Sequence, residues 1–291
     1  MELRCADRTA AWYRSGDGVP PQLSPRPYLH PVTTPGGVVV TEEYPPDHPH
    51  HLGAGMAVAD VDHRNFWGGR TFVRDQGPTL LGDHGRQLPT RWPSRAPDGF
   101  TEELSWCFED TEMLREVRRV AVTPLTGTAW ALAWSSTLTN PGPGPRSIGS
   151  PAVNGRPGAG YGGFFWRAPK EAEPPAVFTA SAEGEDAVHG RPAGWLALSG
   201  RGWTVVLAGA DATTRQDPWF VRAREYPGAG SSLALERRLP VAAGESVRRA
   251  FVAVVADGRL DRDAAAGLAA RAVRASAHTL ADPPPTEGAA T

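Results

Sequence analysis

The chain has 291 residues, 40% of them hydrophobic, with a formal net charge of -2, so it has enough apolar content for a sizeable core. It offers no basic field to attract nucleic acid or anionic lipid, and no stretch approaches the roughly 18 apolar residues of a membrane span. The opening MELRCADRTA lacks the charged and apolar regions of a signal peptide, so a cytoplasmic protein with no nucleic-acid or membrane partner is expected.

The 33 glycines and 29 prolines cluster between short apolar runs, the texture of many strands joined by turns. In chain order, short strands are predicted at Leu3 to Cys5, Ala11 to Arg14, Val38 to Glu42, Glu103 to Phe108 and Glu116 to Val122. A longer one follows at Thr128 to Leu138, where Trp130, Leu132 and Trp134 recur at the strand period of two. Asn140-Pro141-Gly142-Pro143-Gly144-Pro145 reads as a loop between sheet elements. Beyond it come Trp195 to Leu198, Trp203 to Leu207, and a strand carrying Leu233, Leu235 and Leu239 around Glu236 and Arg238. Val247, Phe251 and Val255 share a face in the next strand while Val252 and Val254 fill the other, which predicts a strand covered on both sides.

One helix is predicted, from about Asp261 to Ala275, with Asp261 capping it and Ala264, Leu268 and Val273 as its apolar stripe. Residues 1–281 are expected to form a single β-sandwich domain and 282–291 a disordered tail rich in proline and small residues. Only Cys5 and Cys107 are present, too few for a disulfide framework or a cysteine zinc site, and both are expected to be buried thiols.

Chemistry concentrates at Asp47-His48-Pro49-His50-His51, which holds three of the eight histidines. Imidazole exchanges protons near neutral pH and also ligates metals. Prolines around the segment exclude a helix and hold the rings in set directions. In an extended conformation His48 and His50 face one side and His51 the other. His48, His50, His51 and Asp47 are therefore the candidate catalytic residues. A divalent metal completed by His30 or a distant carboxylate stays open, although no cofactor is required. Trp67, in Asn65-Phe66-Trp67-Gly68-Gly69, and Trp219 are candidate stacking walls, and a core position is the competing reading for Trp67. Arg167 and Arg222, each following an aromatic run, are candidate binders of a carboxylate or sugar hydroxyls, as is His30. No dinucleotide fingerprint, phosphate-binding loop or serine-nucleophile turn is present.

Arg26-Pro27-Tyr28-Leu29-His30-Pro31, Pro35-Gly36-Gly37, the histidine segment and Asn65-Phe66-Trp67-Gly68 together resemble the PmoA-like family, labelled methane oxygenase. Asp217-Pro218-Trp219-Phe220-Val221-Arg222 and the stretch from Ala243-Gly244-Glu245-Ser246 to Asp257-Gly258-Arg259-Leu260 extend the resemblance over nearly the whole chain. It implies a large antiparallel β-sandwich similar to the galactose mutarotase supersandwich, and a role in carbohydrate metabolism. Gly160-Tyr161 stands where that family often carries a Lys-Glu pair. The expectation is an all-β protein with a small-molecule carbohydrate ligand. Its histidines perform acid-base chemistry on a sugar or keto sugar (epimerase, lyase or hydrolase type), with a non-catalytic binding module as the alternative and a metal-dependent oxygenase as the third reading.

Overall fold

The computed structural model describes residues 1–281, and the expected tail at 282–291 lies outside them. Two large antiparallel sheets face each other. The second runs, edge to edge, Ala176–Phe178, Trp195–Gly200, Trp203–Gly209, Ser246–Asp257, Ala129–Thr139, Thr111–Thr126, Gly99–Phe108 and Arg86–Ala96. The first orders Glu2–Cys5, Arg8–Arg14, Tyr28–Val32, Ala54–Val61, Gly163–Arg167, Gly228–Ser231 and Trp219–Arg222, with Arg64–Phe66 and Arg146–Gly149 attached to Ala54–Val61 and Leu239–Val241 attached to Arg146–Gly149. A separate hairpin, Thr71–Val73 with Gly77–Thr79, stands off the first sheet.

Alternation along the strands decides which side chains enter the space between the sheets. Met56, Val58, Phe164, Trp166, Trp219 and Val221 of the first sheet meet Trp130, Leu132, Trp134, Phe251 and Val255 of the second in one buried cluster. The predicted two-sided burial of the 247–255 region holds, because Val252 and Val254 pack on the opposite face beneath the helix Arg262–Ala275. Asp261 caps that helix by accepting from the Ala264 amide at 2.8 Å. Its buried stripe is Ala265, Ala269 and Ala272, with Leu268 and Val273 only flanking it. Small side chains let the helix lie close on the sheet.

One predicted strand is absent and another is shortened. At Val38 to Glu42 a single bridge joins Val39 to Thr33, and Val38 and Val39 stay exposed. The backbone there divides its bonds: Val40 N donates to Val32 O and Glu42 N to Arg167 O. Of the segment around Leu233 to Leu239, only Leu239–Val241 is a strand. Its alternation serves separate contacts: Leu235 covers Gly160, while Arg238 donates to both oxygens of Asp60 at 2.7 and 2.6 Å. Cys5 and Cys107 are free and half-buried rather than buried.

Candidate functional site

The site lies on the outer face of the first sheet. Strand parity turns Ala57, Ala59, Phe165 and Phe220 to this side, where they meet Trp67 and Tyr226 in a second apolar cluster edged by Tyr161. Above it the chain turns twice, His48 N donating to Pro45 O at 3.0 Å and His51 N to His48 O at 2.9 Å. Those turns replace the extended conformation expected from sequence, and all three imidazoles meet on one side. The His48 and His51 rings stack at 4.7 Å between centroids, and His50 lies 4.7 Å from His51 and 5.7 Å from His48.

Buried polar anchors hold this loop. Arg26 donates to the carbonyls of Leu23, Ser24 and His50, the last at 2.7 Å. Arg167, fully buried, donates to Glu42 Oε2 at 2.8 and 3.0 Å and approaches His51 Nδ1 at 3.4 Å and Asp47 Oδ1 at 3.5 Å. A guanidinium only donates, so His51 Nδ1 accepts and the ring proton sits on Nε2. His48 Nδ1 lies 3.4 Å from Asp47 Oδ2 without closing a hydrogen bond.

The other side of the site depends on two glycines. Asn65 Oδ1 accepts from the amides of Trp67 and Gly68, both at 2.8 Å, in a turn that presents the indole. Gly68 and Gly69 then run at φ +100 and +71, and a Cβ on Gly69 would stand 2.7 Å from His50 Nδ1. His84 supports the turn through Nε2, 2.7 Å from Gly69 O.

Together these elements enclose a cavity of about 560 Å³, lined by the three histidines, Asp47, Trp67, Tyr161, Phe220 and Tyr226, with Arg70, Arg156, Arg222 and Glu225 around them. Burial pushes the His50 ring down to about 3, helped by Arg26, so it is neutral at physiological pH. His51 sits well below its ordinary value, first from burial and then from the other two imidazoles and Arg167. Burial acts to raise the Asp47 carboxyl, but Arg167, His48 and Lys170 outweigh it and hold the carboxyl below its usual range. Burial also raises the Tyr226 phenol, so it stays protonated.

Three sequence candidates lie away from the cavity. Trp219 faces the inter-sheet core, its Nε1 donating to Ala193 O at 2.9 Å, and Phe220 takes the wall position one residue on. His30 lies outside the cavity, its Nδ1 3.0 Å from Thr41 Oγ1 and its Nε2 3.6 Å from Glu43. Arg167 touches His51 rather than the cavity, so its role is to position that ring. For the metal left open, among the described residues no group of three or more His, Cys, Asp or Glu side chains is arranged to hold an ion. Trp67 and Arg222 both line the cavity. Sequence reasoning missed Arg26, Tyr161, Phe220 and Tyr226; for Phe220, the parity of the 219–222 strand was the available signal.

No curated protein matches the chain. Among solved structures it is similar to a polysaccharide lyase, at 12% identity with a TM-score of 0.38, over 88% of this chain and 34% of that one. It is also similar to the heparan sulfate lyase HepC from Pedobacter heparinus, at 10% identity with a TM-score of 0.33, over 82% of this chain and 31% of that one. The chain thus spans about a third of the length of the solved chains it matches. Among the described residues, no helix is long and apolar enough to cross a membrane. One family model covers the strands, the histidine loop and the aromatic wall alike, matching residues 1–270, and by that match the chain belongs to DUF6807, a family of unknown function.

Proposed function

We propose that this cavity binds a carbohydrate and performs acid-base chemistry at a carbon beside a carbonyl of a sugar or keto sugar. The observation that carries the reading is three imidazoles in mutual contact, two of them held neutral, beside an aromatic wall that suits a sugar ring. His48 turns Nδ1 toward Asp47, which leaves Nε2 as the base; the proton it takes is balanced by that carboxylate. His51, with its proton on Nε2, donates to the carbonyl oxygen as charge develops there, without itself carrying charge. The proton then returns from His48 to the same face of the carbon, giving exchange with solvent, or goes to a departing oxygen, giving elimination; epimerisation requires a second acid to deliver the proton to the opposite face. The resemblance to the PmoA-like family supports the carbohydrate assignment, since it implies carbohydrate metabolism.

The test is proton NMR in heavy water with aldoses, uronates and 3-keto sugars. Exchange beside the carbonyl is expected with the native chain, and His48→Gln is expected to slow it by roughly 100-fold or more with the thermal midpoint unchanged. A second reading, a binding module without turnover, is favoured by the low basicity of His50. Sugar binding without exchange, unaltered in His48→Gln, would establish it.

A further inference from the structure

The cavity carries an unbalanced charge that acid-base chemistry does not use. Arg70, Arg156 and Arg222 all line it, and among the described residues none forms an ion pair with a carboxylate. Arg224, next along the chain, does, pairing with Glu185 and Asp186. Of the acids lining the cavity, Asp47 already meets Arg167 and Lys170, which leaves Glu225 against three arginines. This positive cluster sits on a chain whose net charge is -2, so it is local and not a consequence of composition.

Arg222 is also pre-oriented. Its Nη2 donates to Gly158 O at 3.0 Å and its Nη1 to Val221 O at 2.8 Å, and the guanidinium lies 4.7 Å from the centre of the Phe220 ring. His189 Nε2 lies 2.8 Å from the same Gly158 carbonyl, two residues from Arg156, so the loop bearing Arg156 is tied to Arg222. A row of ring contacts connects this end to the histidines: His51 to Trp67 at 5.8 Å, Trp67 to Tyr161 at 4.7 Å, and Tyr161 to Phe220 at 5.6 Å.

We infer that the ligand is an acidic saccharide, its carboxylate, sulfate or phosphate held at the Arg156 and Arg222 end, its ring on Trp67, Tyr161 and Phe220, and its reacting carbon at the histidines. This rests on the carbohydrate reading above and adds the charge and the orientation. A guanidinium fork matches an oxyanion in a way that sugar hydroxyls do not.

Titration calorimetry with glucuronate, galacturonate, glucose 6-sulfate and glucose 6-phosphate, against glucose and galactose, tests it. At least one acidic sugar is expected to bind roughly tenfold or more tightly than its neutral counterpart, and the preferred anion identifies the source of the charge. Arg156→Gln and Arg70→Gln, both at exposed side chains, are expected to lower that preference without shifting the thermal midpoint, and added salt to lower it as well. Equal affinity for acidic and neutral sugars, or a preference unaltered in both variants, overturns the inference while leaving the chemistry at His48 standing. Tight acidic-sugar binding without proton exchange overturns the catalytic reading instead. No binding by any of the six sugars overturns both.

Discussion

At the scale of single residues, the histidine loop is a case of burial overriding intrinsic chemistry. His50 would titrate near 6.5 in water, but here it is pushed down to about 3 by burial and by the cations around it. Between those values the unfolded chain binds a proton at this ring and the folded chain does not, so folding stability rises with pH across that window and is complete above about 6.5. His51, shifted the same way, adds to the slope. Urea unfolding followed from pH 7 down to pH 4 is expected to lose stability steadily, on the order of 1 kcal/mol per pH unit for each ring. His50→Gln is expected to flatten the curve. An unchanged slope in that variant would show that His50 is protonated in the folded state.

At the scale of elements, the period of two in the Trp219–Arg222 strand separates the core from the cavity wall. Trp219 and Val221 enter the core between the sheets, whereas Phe220 and Arg222 turn outward to the cavity. Trp219→Ala is accordingly expected to destabilise the fold by roughly 3–5 kcal/mol, because it removes a large buried indole. Phe220→Leu conserves apolar character and is expected to keep most of the stability while weakening saccharide binding several-fold, since an aliphatic chain lacks the flat face a sugar ring packs on. Chemical denaturation paired with calorimetry checks both; a binding loss in Trp219→Ala at full stability would contradict the assigned parity. The same rule explains why Trp219 was the attractive candidate from sequence. Tryptophan stands out by residue type, but which face it occupies depends on the register against Gly228–Ser231.

At the scale of the whole molecule, the two sheets are joined by charge as well as by apolar packing. Arg118 of the second sheet, fully buried, donates to Glu116 at 2.8 and 2.9 Å, to Gln87 at 3.0 Å and to the Tyr13 hydroxyl of the first sheet at 2.7 Å. Tyr13 in turn bonds to Glu102, and Glu116 also accepts from the Trp106 indole and the Ser136 hydroxyl. Removing one member leaves buried charge unpaired. Arg118→Leu is therefore expected to cost roughly 3–5 kcal/mol in denaturant unfolding, with saccharide affinity unaffected in the protein that remains folded, because the network lies on the opposite side of the first sheet from the cavity. A near-neutral effect would mean that this network does not hold the two sheets together.

What the sequence determined by itself was what short-range physics encodes. Alternating apolar residues, turn-forming glycines and prolines, and a capped segment at Asp261 specify an all-β sandwich with a terminal helix, and three histidines in four residues mark where ionisable groups gather. The tertiary structure alone decided how those groups behave. The burial that keeps two of the imidazoles neutral, and the convergence of Arg26, Trp67, Tyr161, Phe220 and Arg222, arise from contacts between segments tens of residues apart. Such contacts leave no period in the sequence, because each depends on strand register and loop path, and these are set by the packing of the two sheets as a whole.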